Sequence, residues 1–213
     1  MALRGNFITL EGGDGGGKST QARMIAQRLR AKGKDVLLTR EPGGSPWAER
    51  LRDALLTPKG RALAPTEQAI LFAAARADHV DTVIEPALAA GRWVICDRFC
   101  DSTEAYQGSG GASRGFTGLL RTIAVGKTMP DLTLVLDVPP ELGRERVTGR
   151  DALDPFEADD MATQEARRAA FLEIAERDKE RCVVVDASLP REDVSTAIWR
   201  AVVRRLVRKQ VPA

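Results

Sequence analysis

Between the apolar run Phe7-Ile8-Thr9-Leu10 and a segment of helical periodicity lies Gly12-Gly13-Asp14-Gly15-Gly16-Gly17-Lys18-Ser19, a turn of the form G-x-x-x-x-G-K-S. A strand entering such a turn and a helix leaving it leave few architectures open. The glycines let successive backbone N–H groups converge on one anion, and the following helix points its positive end at the same place. Lys18 adds a point charge, and Ser19, with Thr20 beside it, a hydroxyl suited to a hard divalent cation such as Mg²⁺. An ordinary strand-to-helix turn needs neither the Lys-Ser pair nor its spacing. Residues 12–20 therefore read as a cradle for the phosphates of a nucleotide.

Further along, short β-rich runs alternate with helical periodicity. Phe7–Leu10, Val36–Thr39, Trp93–Cys96, Leu132–Val138 and Cys182–Val185 are the expected strands. Lys18 to about Ala31, Pro46–Leu56, Pro65–Ala90 (one helix or two), Glu157–Lys179 and Arg191–Lys209 are the expected helices. The glycine-dense stretch Gly108–Gly115 is an expected loop before one more helix. Strands separated by helices imply a parallel sheet covered on both faces, with ligands bound beyond the carboxyl ends of the strands. The chemically informative residues follow the strands: the glycine-rich turn, then Arg40-Glu41-Pro42-Gly43-Gly44, then Asp97-Arg98, then an arginine-rich segment.

A length of 213 residues and the lack of a linker-like stretch favour a single domain, 1–213. Basic and acidic side chains nearly cancel, 32 against 30, so neither nucleic acid nor membrane is an expected partner. Three cysteines without metal-type spacing are expected to be reduced thiols. The turn begins by residue 12, no apolar run approaches a membrane span, and a cytoplasmic protein is expected. A guanine-recognising switch needs an Asn-Lys-x-Asp clamp, and Asn6, the only asparagine, precedes the turn. A partitioning-type ATPase carries an early lysine where this chain has Gly13. Phosphoryl transfer between two bound substrates is the favoured class.

Phe7–Thr20 (FITLEGGDGGGKST), Thr39–Gly44 (TREPGG), Leu71–Val80 (LFAAARADHV) and Asp97–Gly108 (DRFCDSTEAYQG) together resemble the thymidylate kinase family, in its order and over nearly the whole chain. The resemblance implies transfer of the γ-phosphoryl group of Mg-ATP to dTMP, giving ADP and dTDP. It also implies a homodimer and a P-loop NTPase-type α/β fold, a five-stranded parallel sheet with helices on both faces. A kinase for another pyrimidine monophosphate, such as dUMP or dCMP, and an ATP-dependent switch stay open as alternatives.

Carried onto this sequence, the resemblance assigns ATP to Gly12, Gly13, Asp14, Gly15, Gly16, Gly17, Lys18, Ser19, Thr20 and Arg144. Asp97, ending a strand, suits a metal ion together with Ser19 and Glu157. Arg98 is expected to hold the acceptor phosphate against the donor, and Arg52 to bind that phosphate. Phe72 and Arg76, at i and i+4 of one helix, suit a ring stacked on thymine and a guanidinium donating to its O4. Ser102, Thr103 and Gln107 are expected at the base edge, Tyr106 beside the sugar 2′ position, Asp14 near the 3′-hydroxyl, and Glu41 and Pro42 alongside. His79 is expected to be structural. Some members place an arginine where this chain has Gly15, so the resemblance is to the class that supplies it from a lid, about 144–157, with Arg150 first and Arg146 second. An arginine introduced at position 15 is expected to approach the same phosphates. Phe156 completes the acceptor set, while Pro155 and Phe99 depart from residues common in the family.

Overall fold

Five parallel strands form one sheet in the order β2-β3-β1-β4-β5: β1 (Phe7–Glu11), β2 (Val36–Arg40), β3 (Trp93–Asp97), β4 (Leu132–Asp137) and β5 (Cys182–Asp186). The computed structural model describes residues 4–148 and 159–207. The described helices are α1 (Lys18–Arg30), α2 (Pro46–Leu55), α3 (Pro58–Arg61), α4 (Pro65–His79), α5 (Glu85–Ala89), α6 (Cys100–Ser109), α7 (Arg114–Val125), α8 (Pro140–Thr148) and α9 (Met161–Arg177) between the strands, and α10 (Arg191–Val202) after β5. A π-helical turn, Val80–Ile84, joins α4 to α5, so Pro65–Ala89 is one helical course; another, Val203–Val207, extends α10. None of the described helices is long and apolar enough to cross a membrane.

The strand alternation decides which helix goes where. Ile8 and Leu10 face Ile25 and Leu29 of α1 and Ile198 and Val202 of α10. Phe7, Val94 and Cys96 face Ile84 and Leu88 on the opposite side, and Val135 meets Phe171 and Ile174 of α9. β1 is buried along its whole length because it is the central strand and is covered on both faces, as its apolar run anticipates. Thr9 and Glu11 are its polar residues; the Thr9 hydroxyl is satisfied by that of Thr133 at 2.7 Å, and the Glu11 carboxyl by the Phe99 N–H at 2.7 Å and the Ser102 hydroxyl at 2.6 Å.

Several boundaries differ from the sequence expectation for local reasons. α9 starts at Met161, where Asp160 accepts the Thr163 N–H at 2.7 Å as an N-cap; the expected start, Glu157, lies outside the described residues. Thr57 caps the unexpected short helix α3 through the Gly60 N–H. α8, read in the sequence only as an arginine-rich segment, is a helix opening at Pro140. Strand order reverses about β1, and the carboxyl ends of β1, β3 and β2 open into one cavity of about 580 Å³.

Candidate active site

The first wall of the cavity is the turn between β1 and α1. Gly15 and Gly17 take φ of 74° and 80°, left-handed values that glycine adopts without steric cost. At Gly15 the demand is double, because a Cβ there would strike the carbonyl oxygen of Gly143 in α8. An arginine at position 15 is thus sterically excluded in this backbone, which corrects the expectation that it would reach the phosphates. Lys18 folds back on the turn and donates to the Gly13 carbonyl at 2.6 Å. Burial pushes its amine down to about 8, with Arg98 adding to the effect and Asp14 and Asp97 opposing it. Anionic oxygens entering the turn supply the missing counter-charge. Ser19 donates its hydroxyl to Asp97 Oδ2, so a hydroxyl and a carboxylate meet at the mouth of the turn. Such a hard-oxygen pair fits Mg²⁺.

The opposite wall is made by side chains of α4 and α6 and the loop after β2. Arg76, only 4% exposed, donates to Glu41 Oε2 at 2.7 Å, to the Thr103 hydroxyl at 3.1 Å and to the Phe99 carbonyl at 3.1 Å. Burial opposes its charge, but Glu41 overrides that and holds the guanidinium above its ordinary range. His79 lies behind, with Nδ1 3.1 Å from Glu41 Oε1 and Nε2 2.8 Å from the Thr39 hydroxyl. The ring is thereby held at both nitrogens, by Glu41 on one side and the Thr39 hydroxyl on the other. Gly44 packs on the same ring so closely that a Cβ would collide with it. Glu41, His79 and Cys96 bring ligand-type atoms within 4.8 Å of one another, but each is engaged in hydrogen bonds, the Cys96 thiol donating to the Arg98 carbonyl at 3.0 Å.

Arg98 joins the two walls. Its φ of 71° is the only positive value among the described non-glycine residues. The guanidinium pairs with Asp14 of the turn and donates to the Gly12 carbonyl at 3.2 Å, Ser102 Oγ at 3.2 Å and the Tyr106 hydroxyl at 2.9 Å. Tyr106 in turn donates to Asp14 Oδ2 at 2.8 Å. Burial alone would raise the Asp14 carboxyl, yet Arg98, Lys18 and Tyr106 together hold it below the usual carboxylate range. The Tyr106 phenol is raised by burial and stays a neutral donor. This charge cluster needs no general base; it can align anions and neutralise charge that develops between them.

The cavity brings together Asp14, Gly15, Gly17, Lys18, Ser19, Thr20, Glu41, Pro42, Arg52, Phe72, Arg76, Asp97, Arg98, Ser102, Thr103, Tyr106 and Gln107 from the sequence expectation. Arg52 is held toward it by donation to the Pro42 carbonyl at 2.9 Å, and Gln107 by donation to Gln68 at 3.2 Å. Gly12, Gly13, Gly16, Arg144 and Arg146 do not line it. Arg146 donates instead to the carbonyls of Ala187 and Ser188, at 2.6 and 3.0 Å. Arg150, Pro155, Phe156 and Glu157 lie outside the described residues. Arg40, noted in the sequence as following the second strand, lines the cavity too; Arg23 and Leu56, which also line it, and Glu11, which stands behind it, were omitted. Arg23 and Leu56 could have been found by stepping one helical turn from Ser19 and Arg52.

A family model described as thymidylate kinase matches residues 10–198. A protein called thymidylate kinase from Bradyrhizobium sp. strain BTAi1 is 49% identical over 207 residues, covering 95% of this chain and 92% of that protein. One of the same name from Rhodopseudomonas palustris strain CGA009 is 49% identical over 211 residues, covering 97% and 92%. Among solved structures, a crystal structure of thymidylate kinase from Ehrlichia chaffeensis aligns with a TM-score of 0.78 at 31% identity, covering 93% of this chain and 99% of that one.

Proposed function

The chain belongs to the thymidylate kinase family, and we propose that the transfer of the γ-phosphoryl group of ATP to dTMP, giving ADP and dTDP, runs in the cavity between the glycine-rich turn and the α4–α6 wall. One observation carries this reading: Arg98 bridges the two walls, paired with Asp14 on the turn and with Ser102 and Tyr106 on α6. A cation so placed lies between a donor phosphate on the turn and an acceptor phosphate reached by Arg52, whereas a switch that hydrolyses ATP alone has no use for the second wall.

The turn and Lys18 take the ATP phosphates, and Ser19 with Asp97 would hold Mg²⁺, which supplies charge neutralisation on the phosphates when bound. Phe72 stacks on thymine, Arg76 faces its O4, and Thr103 and Gln107 complete the base edge. Tyr106 and Asp14 flank the sugar. Glu41 anchors Arg76 and His79 by the bonds described above, so its part is to fix the base pocket. Because Gly15 is backed by Gly143 and Arg146 is drawn to the Ala187 and Ser188 carbonyls, Arg150 is the arginine assigned to the lid. Single-turnover transfer by Arg150→Ala tests that assignment: a fall of ~10³-fold or more in the chemical step is expected with ATP and dTMP binding little changed.

A homodimer accords with Ile70 on α4 and Leu119 and Ile123 on α7, which are 49%, 57% and 69% exposed on packed neighbouring helices. Ile123→Glu is expected to yield monomers by light scattering. One domain spanning the whole chain, acting in the cytoplasm, accords with the single sheet and with three unpaired buried thiols.

ADP formation against a panel of nucleoside monophosphates tests the reaction. Formation of dTDP in one-to-one ratio with ADP is expected, with dUMP weaker and dCMP weakest. Equal turnover of dCMP would remove Arg76 from the base pocket, and ADP formed without any acceptor would favour the switch.

A further inference from the structure

α6 starts without a cap of its own, since Phe99 at its N-cap position has no side-chain acceptor. The N–H groups of Phe99 and Ser102, its N-cap and third positions, both point at Glu11 Oε1, at 2.7 and 3.3 Å. A local capping box divides these two helix-start bonds between two side chains. Here one carboxyl at the end of β1, 88 and 91 residues distant in sequence, accepts both. Its other oxygen, Oε2, accepts the Ser102 hydroxyl at 2.6 Å. When the carboxyl is ionised, the hydroxyl gives its proton to Glu11 and keeps its lone pairs for a donor, and Arg98 Nη1 donates to it at 3.2 Å. Glu11 is fully buried and does not line the cavity, so it reaches the site only through α6 and Ser102.

We infer that Glu11 is a positioning residue for the phosphoryl transfer: by capping α6 from the neighbouring strand and fixing the direction of the Ser102 hydroxyl, it holds the Arg98 guanidinium between the two walls. The inference rests on the assignment of Arg98 to the space between donor and acceptor phosphates. The left-handed backbone of Arg98 makes such support necessary, because an arginine does not favour that conformation by itself. Three bonds to one carboxyl tie down the residues that follow Arg98.

Glu11→Gln keeps the side chain's shape and an oxygen for the two N–H groups, but turns an amide NH₂ toward Ser102 Oγ, which can then no longer donate there. Burial pushes the Glu11 carboxyl up to about 8, so assays at about pH 9 compare the variant with the ionised wild-type group. The single-turnover rate is expected to fall roughly 10- to 100-fold with the ATP dissociation constant within about 3-fold of wild type. Adding Ser102→Ala should cost little more than the worse single change, because both cut the same link. A full rate in folded Glu11→Gln, or losses that multiply in the double variant, would overturn the inference. Should Glu11→Gln not fold, Glu11→Asp retains the charge but draws it back from all three donors; the same loss is expected, and a wild-type rate overturns the inference equally. Wild-type protein is first shown to form ADP with dTMP. Failure there defeats the assignment on which the inference rests, whereas an active wild type with silent variants defeats the inference alone.

Discussion

The glycine-rich turn presents backbone to the cavity, while the α4–α6 wall presents side chains already locked into one another. On the turn, glycine supplies the left-handed φ values and the close approach of α8, and one lysine supplies the charge. On the opposite wall, Arg76, Glu41, His79 and Thr39 form a continuous chain of hydrogen bonds with almost no exposure of Arg76 or His79. A backbone site is specified by one contiguous stretch and binds what all nucleoside triphosphates share. A side-chain site is gathered from distant segments and can discriminate one base from another. The two walls should therefore fail differently when altered.

The largest effect is expected on the turn. Lys18→Ala removes a buried cation surrounded by Asp14, Asp97 and Glu11, and transition-state stabilisation should fall by ~3 kcal/mol or more. The fold should survive, because Lys18 makes its bond to the Gly13 carbonyl rather than to the core. Single-turnover kinetics with a circular dichroism control check this. A folded variant with near-normal turnover would show that the turn's backbone alone carries the donor phosphates.

On the other wall, Arg76→Lys is the cleaner probe, since Arg76→Ala would strand the buried Glu41 carboxylate and destabilise the protein for an unrelated reason. Lysine keeps a charge near Glu41 but cannot reproduce the fork that reaches Thr103 and the Phe99 carbonyl. The kcat/KM for dTMP should fall by ~10²-fold, with preference over dCMP narrowed and ATP affinity unchanged. Parallel losses for ATP and dTMP would erase the distinction between the walls.

The same contrast accounts for what was legible in the sequence. All five strands and the turn could be read because each is a contiguous pattern with its own period or spacing. Phe72 and Arg76 could be paired because a helix brings i and i+4 together. Glu11 sat in plain view, one residue before the glycines, but its bonds go to Phe99 and Ser102, and no periodicity links those positions. α8 was missed because Gly143 lowers helix propensity in a short charged segment. The structure supplies the reason for that glycine: a Cβ would lie 2.6 Å from the Asp14 carbonyl oxygen. Arg146 has the composition of a lid cation and the geometry of a helix anchored to the loop after β5.

Two glycines sharpen the account of the turn. Gly13→Ala meets nothing within 4 Å, so its cost in stability should be small. Gly15→Ala combines a left-handed φ of 74° with collision against the Gly143 backbone, and should destabilise the protein by ~1–3 kcal/mol while pushing α8 outward. Denaturant unfolding of the pair provides the comparison. Similar stabilities for the two would mean that α8 yields easily and that the turn's tight backing is not a constraint.

The smallest effect concerns Glu11 and is a slope rather than a loss. Its carboxyl ordinarily titrates at 4.5, and burial, with Asp101 adding, pushes it up to about 8 in the folded chain, against the pull of Ser102, Arg98 and the Phe99 N–H. Between those values the folded protein retains a proton that the unfolded chain has released. Stability contributed by this group is therefore fully present below about 4.5 and is lost as pH rises through about 8. The slope is at most ~1.4 kcal/mol per pH unit, and is shared with whatever else titrates in the window. Glu11→Gln removes this group's share, so its stability should decline less steeply than that of the wild type from about pH 5 to pH 8, whatever its absolute value. Denaturant midpoints measured across that range give both slopes. Equal slopes would mean that the carboxyl is ionised throughout, held so by the three donors and the helix N-terminus it caps, and Glu11 would then belong with the charged wall rather than with the neutral core beneath it.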